Sequence, residues 1–196
     1  MLCPDVSMIA TTISLSLNPN LRPRAELKFS RQHSESHVPG RHLNALLNAE
    51  DVLKLSINEG VIEKHARAAF FSYSGPMQLP LNREEKSGPL MNLSPHNIGE
   101  GFHSLYALVK YRGSFQAKEI AEKSIELIQS IWDPDAGWDK SQLNRSGGIK
   151  FIGDNSFVLG IARSIGPLVK YYQATGYKGA LGLASLLKEK ALCQSL

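Results

Sequence analysis

Residues 132–139, WDPDAGWD, place two tryptophans and three aspartates in one short stretch. Glycoside hydrolysis commonly uses two carboxylates that flank the scissile bond, and indole rings give flat apolar platforms that suit a sugar face. Residues 132–137 are equally well explained as a helix end followed by a turn. Trp138 and Asp139 follow that turn and lead toward the next helical segment. The stretch therefore predicts a substrate contact at Trp138 and a catalytic carboxylate at Asp139.

A second polar group lies at helical spacing after Ser94 and Pro95. His96, Glu100 and His103 are four and three residues apart, which places them on one stripe opposite the apolar stripe of the same helix. This pattern predicts Glu100 as a general acid or base, with His96 and His103 as substrate contacts. A solvated polar helix face is the alternative. The spacing matches no zinc signature, so no metal site is predicted.

Three further residues are candidates with competing explanations. Asp154 precedes a helical segment and is interpreted as a third catalytic carboxylate, with helix capping as the alternative. Arg163 lies opposite the apolar stripe of that segment, and its planar guanidinium suits a carboxylate-bearing sugar such as a uronate. An internal ion pair is the other interpretation of Arg163. Arg83 lies in a long loop and is a candidate substrate contact or loop anchor.

The elements that must position these residues are predicted to be helices, because apolar residues recur at helical spacing. The helical segments cover residues 41–55, 59–74, 95–112, 115–132, 157–172 and 180–192. Gly113 and the pair Gly166–Pro167 are predicted to break or kink the helical pattern. Residues 72–95 hold four prolines and two glycines and are predicted to form a loop. No strand alternation is evident, so the predicted fold class is all-α.

Two of the helical pairs resemble each other. LVKY occurs at 108–111 and again at 168–171, and AKEIA at 117–121 corresponds to ALGLA at 180–184. A period near sixty residues, made of helix pairs, indicates a helical-hairpin repeat fold.

The phrases HNIGEGFHSLYALVKY, WDPDAGWD and LVKYYQATGYKGALGLASLLKEKAL resemble the six-hairpin glycosidase-like proteins of the (α/α)6 toroid superfamily. The likeness covers roughly residues 41–193, and the superfamily includes glycoside hydrolases, polysaccharide lyases and sugar epimerases. It implies acid/base chemistry on a carbohydrate substrate, in a funnel where loops enter the inner helices. Three hairpins amount to about half of such a toroid, so further hairpins are expected from a missing C-terminal half or an oligomer.

Three alternatives to a glycan-processing enzyme stay open. They are a terpenoid cyclase or prenyltransferase-like toroid, a non-enzymatic helical-repeat scaffold that binds a partner, and an inactive fragment. An aromatic cavity nearly free of carboxylates would favour the first, and a continuous exposed apolar groove would favour the second.

Composition limits the remaining classes. The net charge is +4 without a basic block, so nucleic acid is not an expected partner. No apolar run approaches the roughly 18 residues of a membrane span, and no phosphate-binding glycine loop indicates a cofactor. The two cysteines, Cys3 and Cys193, show no disulfide or metal spacing, which predicts a cytoplasmic setting, with export as the alternative. Residues 1–39 are predicted to be a poorly ordered lead-in and residues 40–196 a helical-hairpin domain.

Overall fold

The computed structural model describes residues 29–152 and 156–193, and this part of the chain is mainly helical. Its seven α-helices confirm the all-α prediction at that level. They are α1 (His37–Leu53), α2 (Glu59–Ser72), α3 (His96–Arg112), α4 (Phe115–Ile131), α5 (Lys140–Gly147), α6 (Ile165–Thr175) and α7 (Lys178–Cys193). A 3₁₀ helix, Ile161–Ser164, leads directly into α6.

Short strands correct the expectation that the chain has none. They are β1 (Leu81–Arg83), β2 (Leu90–Leu93), β3 (Trp132–Asp133), β4 (Gly137–Trp138) and β5 (Lys150–Phe151). β1 and β2 form an antiparallel hairpin inside the predicted loop, and β5 joins β2 in parallel. WDPDAGWD itself forms the β3–β4 hairpin, in which Trp132 pairs with Trp138. Strands of two to four residues are too short for an alternating pattern to be visible in the sequence.

The helices form three hairpins that stand side by side. The hairpins are α1–α2, α3–α4 and α6–α7, and α3 packs against α1 on one side and α6 on the other. α4 packs on both α3 and α7. Gly113 ends α3 with φ 61°, and Gly176 ends α6 with φ 72°, the left-handed conformation that favours glycine after a helix. Three adjacent hairpins do not make a closed ring, so the toroid stays a prediction.

The repeated sequence motifs lie at matching places in two hairpins. Ala117 and Ala121 of α4, and Ala180 and Ala184 of α7, are all buried. Small side chains on these faces let each second helix lie close to its neighbours. The similarity between AKEIA and ALGLA therefore reflects small residues at equivalent buried positions of α4 and α7.

The packed domain starts ahead of the predicted boundary at residue 40. α1 begins at His37, and Glu35 and Ser36 are buried. Their backbone amides donate to the Asn82 side-chain oxygen on β1, at 3.0 and 3.3 Å. These contacts attach the chain before α1 to the β1–β2 hairpin. Most of the predicted lead-in, residues 1–28, lies outside the described residues.

Candidate functional site

Glu100 is the buried carboxylate of helix α3, and two arginines from neighbouring elements reach it. Only 8% of Glu100 is exposed. Arg41 Nε on α1 donates to its carboxylate at 2.9 Å, and Arg163 Nη2 on the 3₁₀ helix lies 3.9 Å away. Both arginine side chains are themselves about half exposed. Glu100 thus holds two solvent-facing guanidinium groups at the junction of three elements.

Two glycines make this junction possible. A Cβ atom on Gly40 of α1 would collide with the backbone carbonyl of Glu100. A Cβ atom on Gly99 of α3 would lie 2.9 Å from the carbonyl oxygen of Arg163. Such distances are shorter than side chains tolerate, so each position requires a residue without a Cβ atom. The glycines bring the backbones of α1, α3 and the 3₁₀ helix together around Glu100.

Three histidines lie beside this carboxylate and form a histidine triangle: His33, His37 and His96. Their ring centroids are 5.0 to 5.2 Å apart. His37 and His96 are the first residues of α1 and α3, and His33 lies in the turn before α1. Together with Arg41, Glu100 and Arg163 they constitute what we call the polar cluster.

Each imidazole of the triangle is oriented by a side-chain oxygen at its Nδ1 atom. The three pairs are His33 with Ser30 Oγ at 3.0 Å, His37 with Asn97 Oδ1 at 3.2 Å and His96 with Ser94 Oγ at 2.8 Å. The Nε2 atom of His96 is buried and has no hydrogen-bond partner among the described residues. Other buried atoms share this property, among them His42 Nδ1 and His65 Nε2, but the His96 ring also lies near the charges of Arg163 and Glu100.

The surroundings keep these imidazoles neutral. Burial, followed by the charges of His33, His37 and Arg163, lowers the pKa of His96 to about 4, although Glu100 acts in the opposite direction. Burial and the Arg41 charge also lower the pKa values of His33 and His37. A neutral imidazole can accept a proton, which is the role of a general base.

His103 lies one helical turn beyond Glu100 and is the third predicted residue of this stripe. Its Nδ1 atom is buried without a partner among the described residues. Burial lowers the pKa of His103, Glu100 raises it, and Lys170 and Arg41 lower it further. His96, Glu100 and His103 lie along one helix, and Arg163 joins them through an ion pair with Glu100 that the sequence does not predict.

The second region of interest is an aromatic cavity of about 330 Å³. The indole of Trp132 stacks on Phe157, with ring centroids 6.1 Å apart, and Trp138 tilts against Phe151 at 6.3 Å. Lys140 Nζ lies 4.7 Å from the centre of the Phe151 ring. This volume is at the lower end of small-molecule sites. Trp138 is half-buried in the cavity wall, where a ligand can reach it.

The cavity and the polar cluster lie on neighbouring sides of the same two elements. Pro95 and Ile161 line the cavity. Pro95 directly precedes His96, and Ile161 belongs to the same short helix as Arg163. The first turn of α3 and the 3₁₀ helix thus form a wall between aromatic and charged surfaces.

Two predicted site residues have structural partners elsewhere. Asp139 is exposed, and its carboxylate caps α5 by accepting from the Gln142 amide at 2.8 Å. Arg83 Nε donates to the buried Glu35 carboxylate at 2.8 Å, and its guanidinium carbon lies 5.4 Å from the Phe71 ring centre. These contacts give Asp139 a capping role that the sequence does not predict, and they give Arg83 the anchoring role that is its stated alternative. Asp154 lies outside the described residues.

Sequence reasoning missed half of the polar cluster. His33, His37 and Arg41 are spaced at four-residue intervals, the same interval that separates His96 from Glu100. That spacing is the available signal, but His33 and His37 fall within residues 1–39, which are predicted to be a poorly ordered lead-in.

Two general findings complete the site. Among residues 29–152 and 156–193, no three His, Cys, Asp or Glu side chains are arranged to hold a metal ion. Within the same ranges no helix has the length and apolar character needed to cross a membrane.

No family model, curated protein or solved structure matches the chain.

Proposed function

We propose that the protein is carbohydrate-active and performs an acid/base step on a glycan at the polar cluster. The observation behind this proposal is the placement of Glu100 between two arginines and beside His96 and His103, each of which has one buried ring nitrogen without a partner among the described residues. The aromatic cavity on the neighbouring side supports it, because half-buried indole and phenyl rings suit the apolar face of a sugar.

Hydrolysis and elimination make different demands on such a site. Hydrolysis requires a second carboxylate roughly 5–10 Å from the first. Elimination requires a base that takes the proton next to the sugar carboxyl group. The C–H electrons then form a double bond, the adjacent C–O bond breaks, and the leaving oxygen takes a proton from an acid. The described side chains that contact Glu100 are guanidinium groups, with imidazoles next to them, which supports elimination.

Glycan binding without turnover is the second candidate. It is favoured by the partners that the two described candidate carboxylates already have. Arg41 donates to Glu100, and the Gln142 amide donates to Asp139. A carboxylate engaged in this way stabilises its surroundings and is less free to exchange protons with a substrate.

Activity on a panel of neutral and acidic polysaccharides tests the proposal. New reducing ends report cleavage, and ultraviolet absorbance of an unsaturated product distinguishes elimination from hydrolysis. We expect Glu100→Gln to lower the rate by about 100-fold or more. Glu119→Gln is the matched control, because Glu119 is exposed and its ion pair among the described residues is with Lys123 on the surface of α4. Binding of a glycan without any product would replace the enzymatic proposal with the binding one.

A further inference from the structure

The three rings of the histidine triangle are each fixed at one edge, and His96 Nε2 is buried without a partner among the described residues. Each ring has its Nδ1 atom fixed by Ser30, Asn97 or Ser94, so the Nε2 edge of each ring is the edge left for another group. Asn97 is fully buried, and its own amide donates to the Gln32 backbone carbonyl. A hydrogen bond at Nδ1 fixes the orientation of each imidazole ring and therefore the direction in which its Nε2 atom points.

The charges around the triangle favour an anion as the missing group. Two guanidiniums, Arg41 and Arg163, face a single carboxylate, Glu100. His37 and His96 begin α1 and α3, and neither helix has an acidic residue in its first turn. The positive end of each helix dipole attracts negative charge. Lys170 on α6 adds a further positive charge near His103.

A metal ion fits these surroundings poorly. The described side chains include no arrangement of three His, Cys, Asp or Glu residues that would hold one. Two neighbouring guanidiniums would also repel a divalent cation.

We propose that the histidine triangle, together with Arg41 and Arg163, is a subsite for the carboxylate of an acidic sugar, and that it takes up a proton when the carboxylate binds. The choice of a sugar as the carrier of the carboxylate rests on the proposed function; the anion site itself does not. The groups that face the triangle are Arg41 on α1, Glu100 on α3 and Arg163 on the 3₁₀ helix. His103 and Lys170 lie beyond Glu100.

The proton uptake follows from the sign of the pKa changes. In the free protein, burial and the arginine charges lower the pKa values of all three imidazoles. A bound carboxylate places a negative charge beside these rings and raises their pKa values again. Binding is therefore linked to protonation, and affinity increases as the pH falls.

Calorimetry on the folded protein tests this subsite. D-glucuronate is titrated at about pH 5.5 and about pH 7.5, on either side of the ordinary imidazole pKa of about 6.5. Two buffers of different ionisation enthalpy report the number of protons taken up. D-glucose, acetate and inorganic phosphate are the comparison ligands. We expect binding about tenfold or more tighter at the lower pH, with up to one proton taken up per anion.

Single histidine substitutions test whether the proton uptake and the glucuronate binding take place at the triangle. His96→Gln is expected to abolish the proton uptake and to weaken glucuronate binding by about tenfold or more, and His33→Gln, in the turn before α1, to reduce both. His42→Gln is the matched control, because His42 is another half-buried histidine of α1 but packs against His65. NMR titration of the histidine rings in the unaltered protein, with and without glucuronate, gives the same information even if a variant does not fold.

The outcomes separate this inference from the proposed function. Glucuronate binding with proton uptake but no turnover of any glycan supports the subsite and contradicts the enzyme. Turnover of neutral glycans without glucuronate binding supports the enzyme and contradicts the subsite. Three results overturn the subsite: equal binding of glucose, binding without proton uptake, or tight binding of Zn²⁺ that His96→Gln removes. Equal binding of phosphate and acetate would reduce it to a general anion site and refute the sugar assignment.

Discussion

The two ends of helix α3 are built from similar residue types but differ in how completely their charged and polar groups are paired. At its C-terminal end, Arg112 donates to Glu50 at 2.6 Å and to Glu59 at 2.8 Å. Tyr111 at the same end donates to the Asn48 side chain at 2.8 Å. We call this group the arginine end. It joins α3 to both helices of the first hairpin.

At the N-terminal end the balance is different. The polar cluster holds one carboxylate against two arginines, and His96 has a buried ring nitrogen without a partner among the described residues. Unmatched buried polarity costs free energy and is usually removed from a region that serves only stability. The arginine end therefore joins the hairpins, whereas the excess positive charge of the polar cluster is what the proposed anion subsite requires.

The largest expected effect comes from placing a methyl group between α1 and α3, where their backbones lie in close contact beside the polar cluster. Gly40→Ala places a Cβ atom against the Glu100 backbone and should destabilise the fold by about 1–3 kcal/mol. Urea unfolding measures the change. Gly166→Ala is the control, because nothing lies within 4 Å of a Cβ atom there. A Gly40→Ala protein as stable as the control would show that α1 and α3 are not in such close contact.

Removing a matched charge at the arginine end should have the next largest effect. Arg112→Met leaves the half-buried Glu50 without its ion-pair partner and should cost about 1–2 kcal/mol in the free energy of unfolding. Glucuronate binding should not change. Arg41→Met, at the polar cluster, should weaken glucuronate binding as well as stability, because it leaves the buried Glu100 without its 2.9 Å partner. If both variants lost only stability, the contrast between the two ends would be wrong.

A third prediction uses pH to separate two groups of histidines. His65 is buried in α2 against His42, and burial lowers the pKa values of both. A lowered folded-state pKa means that the stability is fully present above the unfolded value of about 6.5 and declines as the pH falls below it. The His33, His37 and His96 rings act in the same direction.

A ligand should distinguish the two groups. Glucuronate added at about pH 5.5 should restore the part of the stability lost through the histidine triangle, while the part lost through His65 should remain. Melting temperatures with and without glucuronate, in the unaltered protein and in His96→Gln, measure the two parts. Full restoration in His96→Gln would place the anion somewhere other than the triangle.

The sequence predicted most of the helices because they contribute an apolar stripe and end at a recognisable residue such as Gly113. It missed α5, whose buried apolar residue is Leu143, and it predicted helix over residues 157–164, which form a turn and a 3₁₀ helix. It also placed His96, Glu100 and His103 together, since residues on one helix share a face at a spacing of three or four. It could not pair Glu100 with Arg41, because 59 residues separate them and only packing through Gly40 brings them together. The β1–β2 hairpin and the buried Glu35 depend on similar long-range contacts.

The smallest expected effect concerns Asp139, whose carboxylate caps α5 by accepting from the Gln142 amide. Asp139→Ala removes the cap and should cost about 0.5–2 kcal/mol, whereas Asp139→Asn keeps a capping oxygen and should leave stability nearly unchanged. The asparagine variant therefore isolates the carboxylate charge from the cap. Glycan turnover measured on Asp139→Asn should equal that of the unaltered protein if Asp139 only caps α5. A loss of about 100-fold or more, with stability unchanged, would instead make Asp139 a catalytic carboxylate. It would also move the chemistry from the polar cluster toward the WDPDAGWD hairpin.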